Sequence, residues 1–424
     1  MCIRDRYLTE ANEEEVGSGK YQLGDLVGRG GVEEKYDFWL RGKDGGEVFE
    51  VNALGEKIRE IGIQQPIPGK DLYLNIDAEL SKVAFEALEG KRGAAVASEA
   101  KTGAVLVLVS SPSFNPEKIT SEVLTDKNQS LFNRAVTGLY PPGSTFKIVT
   151  ATAGLEEGKI TENTTYVDTG EIRIGNYVYK NWYFSQYGKT EGEINIVGAL
   201  KRSTDTFFYK LGEWIGPKRL MEWAKAFGFG KPTGVDLPTE VAGKVPDPSS
   251  GQWFLGNTYH FAIGQGDLLV TPLQVNLMTS VIANEGRLCR PSIIQSSKFK
   301  FQNDRNTSEV AGWSVSESYD SSEVNCQDLR FKSETLRLVK EGMKGACSPG
   351  GTAFPLFDFS PAVACKTGTA EFGDQAGQTH AWLTAFAPAE NPQIVVTVLV
   401  EAGGEGSRVA APIVKKVLEE WFGK

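Results

Sequence analysis

Apolar runs of strand length stand far apart in this chain, with helical spacing between them. Gly93–Ser98 and Ala104–Val109 flank a polar stretch, Glu99–Gly103, and predict a β-hairpin. Near the C-terminus, Val363–Ala370, His380–Ala387 and Gln393–Ala402 predict three more strands, and about Val409–Phe422 has the spacing of an amphipathic helix. Helical patterns dominate from Ser144 to Phe227, broken by an aromatic loop at Tyr177–Tyr187, and return over Ser333–Lys344. Upstream, residues 7–67 are Gly-rich and charged, with an amphipathic stretch at Glu33–Leu40 and a strand-like run at Glu47–Asn52. Pro66-Ile67-Pro68-Gly69 breaks that pattern and predicts a boundary, giving an N-terminal unit of residues 1–67 and a larger one of 68–424. The larger unit opens with strand-like Asp71–Ile76 and a helix from Asp77, as N-cap, to about Leu88. Strands at both ends with helices between predict an α+β fold, one sheet assembled from distant segments.

Composition narrows the function classes. With 424 residues the chain has room for two or three domains of about 150 residues. Hydrophobic residues make up 40% and charged residues 23%, which excludes disorder as the dominant state. The net charge of −9, with no basic tract, argues against nucleic acid as a partner. No run reaches the ~18 apolar residues of a membrane span. Met1-Cys2-Ile3-Arg4-Asp5-Arg6 lacks a signal-peptide core and runs into Glu13-Glu14-Glu15, so it reads as a truncation or assembly scar. With only His260 and His380 as histidines and no C-x-x-C, no metal site is expected, and nothing calls for a cofactor.

The candidate chemistry lies in short motifs. S-x-x-K occurs at Ser98–Lys101, Ser144–Lys147 and Ser297–Lys300. Only Ser144 follows a rigid Tyr140-Pro141-Pro142-Gly143 and opens an apolar helix, Ile148–Leu155. Spacing i, i+3 puts Ser144 and Lys147 on one helical face, where a desolvated neutral lysine can take the hydroxyl proton. The bland alternative is a serine N-cap followed by a solvated lysine. K-T-G occurs at Lys101-Thr102-Gly103, a hairpin turn, and at Lys366-Thr367-Gly368, inside an apolar strand where it can line a cleft. Between them Ser203-Thr204-Asp205 joins two helical segments, either as site chemistry or as a helix cap. Ser113-Phe114-Asn115, among prolines, suits a turn. Gly17-Ser18-Gly19-Lys20 fails the phosphate-loop spacing.

Taken in order, Ser144–Lys147, Ser203–Asp205 and Lys366-Thr367-Gly368 fit the pattern of penicillin-binding proteins and serine β-lactamases. Tyr140 to Lys147, Asp205-Thr206-Phe207-Phe208-Tyr209, Gly264-Gln265-Gly266 and Lys366-Thr367-Gly368-Thr369-Ala370-Glu371 resemble class B penicillin-binding proteins, above all the elongation type. The resemblance runs from about Gly24 to Lys424. It implies a transpeptidase domain behind a partial N-terminal pedestal, and a D,D-transpeptidase that cross-links peptidoglycan stem peptides in cell-wall elongation and cell-shape maintenance.

By that resemblance Ser144 is the nucleophile, Lys147 the general base and Ser203 a proton relay to the leaving group. Lys366 and Thr367 would hold the substrate carboxylate, with Gly368 and Thr369 beside it. The backbone N–H groups of Ser144 and Thr369 would form the oxyanion hole. Most relatives have Asn where Asp205 stands, while the elongation type has Asp. A carboxylate there raises the pKa of whichever lysine it touches, so a neutral Lys147 is easiest if Asp205 pairs mainly with Lys366. Gly264-Gln265-Gly266 is either a cleft segment or an ordinary turn, His380 either structural or substrate-contacting, and Trp182-Tyr183-Phe184 either loop packing or an acceptor groove.

The implied partners are the D-Ala-D-Ala donor and amine acceptor stems, β-lactams as covalent inhibitors, and a SEDS-type glycan polymerase with elongation-complex proteins. The implied place is the extracytoplasmic face of the bacterial membrane, with an anchor helix outside this fragment. The alternatives are a serine β-lactamase, a D,D-carboxypeptidase or a non-catalytic penicillin-sensing domain. An oxidising location would permit a Cys326–Cys347 bridge, with Cys289 as a competing partner and Cys365 a free packing residue.

Overall fold

The computed structural model describes residues 7–295, 325–373 and 377–423. Met1–Arg6 and the Ser297–Lys300 motif lie outside the described residues.

The N-terminal unit is built of short pieces. Strand β1 (Leu8–Glu10) pairs antiparallel with β2 (Leu26–Gly28), and α1 (Glu13–Gly17) fills the connection. Asn12 and Glu15 cap α1 reciprocally, each side chain accepting the other's backbone N–H at 2.9 Å. Gly17-Ser18-Gly19-Lys20 is therefore a helix end. Helices α2 (Gly31–Lys35) and α3 (Asp37–Leu40) precede a hairpin of β3 (Gly46–Val51) and β4 (Lys57–Gln64), both exposed along their whole length. The Pro66–Gly69 break folds back through a Lys43–Ile67 bridge. Asp71–Ile76 is not the strand its pattern predicted. Among the described residues it finds one isolated bridge, Leu74 to Ile294, and no continuous ladder.

Helix α4 (Ala78–Ala87) starts as expected, the Asp77 carboxylate accepting the Leu80 N–H at 2.9 Å, a cap worth about 1 kcal/mol. Strands β5 (Gly93–Glu99) and β6 (Val105–Ser111) form the expected hairpin, and Gly103, at φ +78°, makes its turn. After the short α5 (Ser121–Leu124), a 3-10 turn at Gly143–Phe146 leads into α6 (Lys147–Glu156). The next stretch departs from the sequence pattern. Strands β7 (Tyr166–Asp168), β8 (Glu171–Ile174) and β9 (Tyr177–Lys180), helix α7 (Trp182–Tyr187) and strand β10 (Gly192–Ile194) form a small insert. Gly175, at φ +57°, lets β8 return as β9, and β7 closes the insert by pairing with β10. What read as an aromatic loop is thus a strand and a short helix.

The helical half continues with α8 (Ile196–Arg202), α9 (Asp205–Ile215), α10 (Pro217–Ala226), α11 (Leu255–Ala262) and α12 (Pro272–Ala283). Strand β11 (Arg287–Cys289) pairs with β12 (Cys326–Asp328), and α13 (Ser333–Ala346) follows. The chain closes with β13 (Ala364–Glu371), β14 (Thr379–Ala387), β15 (Ile394–Val400) and α14 (Ala410–Phe422). No helix among the described residues is long and apolar enough to cross a membrane.

The five-stranded antiparallel sheet runs β13-β14-β15-β5-β6, so the distant strands meet as the pattern predicted. Central β15 is buried throughout. Val395 and Leu399 join the helical core on one face, and Val396, Val398 and Val400 join the core beneath α14 on the other. Burial on both faces explains why it reads as a continuous apolar run. Helix α6 is buried from Lys147 to Leu155 and passes through the middle of the helical core, which positions everything attached to its first turn.

The cysteines pair differently from the expectation. Cys289 is bonded to Cys326, and Cys347 to Cys365. Register decides the first pair, since β11 sets Cys289 directly opposite Cys326 with Cα atoms 3.9 Å apart. Helix α13 then carries Cys347 away from Cys326 and delivers it to β13, where its Cα lies 5.9 Å from that of Cys365. Cys365 is accordingly a bridge residue and not a free thiol.

Candidate active site

Three segments converge at the first turn of α6. The Pro-Pro-Gly turn before it is pinned on several sides. The Trp382 indole donates to the Pro141 carbonyl at 3.0 Å, the Thr145 hydroxyl to Pro142 at 2.8 Å, and the Gly143 N–H to Gly264 at 2.8 Å. Gly143 sits at φ +54°, and a Cβ there would stand 3.0 Å from the Thr369 carbonyl of β13, so the position needs glycine twice over. Gly264 is equally confined, since its Cβ would meet Phe146 at 2.7 Å. The Gly264-Gln265-Gly266 segment thus buttresses the turn. Ser144 lies in the 3-10 turn, partly exposed, and Lys147 is the first residue of α6, fully buried.

Ser203 closes α8 in the left-handed conformation, at φ +56°. A non-glycine residue there costs roughly 1–2 kcal/mol, and the gain is orientation. Both its carbonyl and its hydroxyl turn toward Lys147, whose Nζ lies 2.8 Å from the carbonyl oxygen and 3.2 Å from Oγ. The same Oγ lies 2.7 Å from Lys366 Nζ, so one hydroxyl joins two buried amines. Asp205, the first residue of α9, accepts from Lys147 at 2.6 Å through Oδ1 and from the Trp182 N–H at 2.9 Å through Oδ2. The alternative pairing, Asp205 with Lys366, is not the one found. Lys366 instead donates to the Thr367 carbonyl at 3.0 Å.

Electrostatics follow from this placement. Burial pushes the Lys147 ammonium below the ordinary lysine range, with Asp205 working in the opposite direction. Burial pushes Lys366 well below that range, and the Lys147 charge pushes it further while Asp205 opposes. Two buried amines share one carboxylate, so the cluster holds two protons only with difficulty. Burial favours the neutral form of each amine, and the Ser203 hydroxyl lies within hydrogen-bond distance of both nitrogens.

The remaining candidates lie on or beside β13, the sheet's edge strand. The Thr367 hydroxyl donates to Thr352 at 2.8 Å. Gly368 packs against the Pro-Pro-Gly turn, where a Cβ would stand 3.0 Å from Thr145 and 3.1 Å from the Pro142 carbonyl. The Thr369 side chain is exposed. His380 is tied into the fold. It stacks on Phe372 with ring centroids 3.9 Å apart and accepts the Ala402 N–H at 3.2 Å. The half-buried Trp182 side chain donates to the Arg202 carbonyl at 2.9 Å. Ser98 is buried and bonded to Asn276 at 2.7 Å, and of Ser113-Phe114-Asn115 only Asn115 takes part in a turn, opening it and accepting from the Glu117 N–H. Among the described residues no cluster of His, Cys, Asp and Glu could hold a metal ion.

Sequence reasoning missed three residues of this neighbourhood: Asn181 and Asp168, which stand behind Asp205, and Thr352. An asparagine before a short helix signals a cap, but nothing local ties it to Ser203–Asp205.

Residues 93–419 match the family described as the penicillin binding protein transpeptidase domain, and residues 6–74 the penicillin-binding protein dimerisation domain. The chain is 33% identical to the peptidoglycan D,D-transpeptidase MrdA of Escherichia coli K12, over 97% of this chain and 68% of that protein, about two thirds of its length. Penicillin-binding protein 2 of Helicobacter pylori, solved in complex with MreC, superposes with a TM-score of 0.82 at 32% identity, covering 98% of this chain and 76% of that one. A chain of a peptidoglycan synthase complex, solved to describe coordinated polymerization and crosslinking, gives a TM-score of 0.83 at 32% identity, covering 98% and 74%. The chain therefore belongs to the penicillin-binding protein transpeptidases, in their elongation-type branch, penicillin-binding protein 2.

Proposed function

We infer that this chain is a serine-type peptidoglycan D,D-transpeptidase with Ser144 as its nucleophile. The observation that carries the reading is the Ser203 hydroxyl held between the Lys147 and Lys366 amines next to the Ser144 turn. Ser144 Oγ attacks the penultimate D-Ala carbonyl of a donor stem and passes its proton to Lys147. The N–H groups of Ser144 and Thr369 stabilise the oxyanion. The peptide C–N bond then breaks, and the leaving D-Ala amine gains its proton through Ser203. The ester left on Ser144 is resolved by the amine of an acceptor stem, which restores the hydroxyl and forms the cross-link.

Lys366 and Thr367 receive the terminal carboxylate of the donor. That negative charge favours the protonated form of Lys366, while Asp205 favours the protonated form of Lys147. The Ser203 hydroxyl is within hydrogen-bond distance of both amines, so carboxylate docking draws the proton from Lys147 toward Lys366 and leaves Lys147 neutral for its work as base. β-Lactams enter by the same route and stop at the acyl-enzyme.

The division into a pedestal, residues 1–67, and a catalytic domain, residues 68–424, remains our reading of the Pro66–Gly69 break. We place the chain at the extracytoplasmic face of the bacterial membrane, working with a SEDS-type glycan polymerase and elongation-complex proteins. The MreC complex of the Helicobacter relative supports the last of these. Intact-mass measurement after incubation with a penicillin tests the enzyme class. One adduct stable for hours supports a transpeptidase or a penicillin-sensing domain, and rapid return to the free mass supports a β-lactamase instead.

A further inference from the structure

The carboxylate that faces Lys147 is itself held from behind. Asn181 is fully buried and uses both ends of its amide. Its Oδ1 accepts the Asp205 N–H at 3.1 Å, and its Nδ2 donates to Asp168 Oδ2 at 2.9 Å. Asp168, 1% exposed, also accepts from the Gly170 and Glu191 N–H groups and from the hydroxyl of Thr206, the residue after Asp205. The first two residues of α9 are thereby latched to the insert formed by β7–β10 and α7. The residue after Asn181 supplies the N–H that occupies Asp205 Oδ2.

We propose that Asn181 is a positioning residue, which fixes Asp205 so that its charge is divided between the Trp182 N–H and Lys147. An N–H donated to a carboxylate lowers its proton affinity and weakens its hold on a neighbouring ammonium. Without the latch, Asp205 turns its whole charge to Lys147 and the ammonium keeps its proton to higher pH. The other groups facing this pair are few. Lys366 of β13 opposes protonation of Lys147 through its own charge, Tyr209 of α9 is kept a neutral phenol by burial, and Asp168 of β7 stands behind Asn181.

The inference rests on Lys147 being the base for Ser144, and the experiment separates the two claims. Penicillin acylation rates of the full chain are followed by intact mass across the acidic limb of the pH profile. Lys147→Gln tests the base: acylation with the parental profile would remove that reading by itself. With Lys147→Gln inactive, Asn181→Ala is expected to move the acidic midpoint upward by about half a pH unit or more, roughly threefold in rate on the limb. Above the limb its rate should return to within about threefold of the parent, a barrier change under ~0.7 kcal/mol. A midpoint that stays in place overturns the proposal, even if the rate drops uniformly, because a uniform drop is what a structural role alone produces. Asn181→Ser keeps a residue suited to a helix start but is too short to span Asp168 and Asp205. It is judged by the same two outcomes if Asn181→Ala does not fold.

Discussion

Asp205 is bonded to Lys147 at 2.6 Å, and the Ser203 hydroxyl joins Lys147 and Lys366, at 3.2 and 2.7 Å. The buried carboxylate therefore favours the charged form of Lys147, while burial favours the neutral one. Removing either partner of such a pair outright costs about 3–5 kcal/mol, so informative substitutions keep the shape and change the charge.

Asp205→Asn is one such change. The amide keeps an oxygen for hydrogen bonding but no longer favours the ammonium, so Lys147 loses its proton at lower pH. The acidic midpoint of penicillin acylation should move down, and the rate above it should stay within about tenfold of the parent, ~1.4 kcal/mol in barrier. A stopped-flow pH series with a chromogenic β-lactam checks the direction, and an upward move contradicts the pairing.

Ser144→Ala should abolish the penicillin adduct and leave the melting temperature nearly unchanged, because no hydrogen bond of its hydroxyl exists among the described residues. Ser98→Ala, by contrast, removes a buried hydrogen bond to Asn276 and should lower stability by about 1 kcal/mol while acylating normally. Intact mass and thermal denaturation of both variants, side by side, test Ser144 as the nucleophile against the buried look-alike Ser98.

Non-reducing peptide mapping should recover Cys289 linked to Cys326 and Cys347 linked to Cys365. Recovery of a Cys326–Cys347 peptide would overturn this pairing. Replacing Cys347 and Cys365 together by Ala opens an 18-residue separation and should cost about 2–4 kcal/mol, read as a lower denaturation midpoint.

His380 gives stability a pH dependence. Burial lowers its pKa to about 4, so the imidazole is neutral in the fold and titrates near its ordinary value when unfolded. The unfolded chain then binds the extra proton between these values. The His380 contribution is complete above about pH 6.5 and is lost as pH falls toward 4. His380→Gln, which retains an acceptor for the Ala402 N–H, should flatten that part of the melting-temperature profile. An unchanged slope would show that His380 is not its source.

The sequence alone determined the hairpin β5–β6, the strands β13 to β15, the α4 cap at Asp77 and the C-terminal helix, because each is written in neighbouring residues. It also picked Ser144 from among three S-x-x-K matches, since a Pro-Pro-Gly turn before an apolar helix is a local signal. Only the tertiary structure decided that Asp205 faces Lys147, that Asn181 and Asp168 latch it, and that Cys289 rather than Cys347 reaches Cys326. Those facts depend on the register of strands far apart in sequence and on the backbone direction at Ser203. A left-handed residue at the end of α8 turns one carbonyl and one hydroxyl inward, and no periodicity in the chain records which way such a residue points.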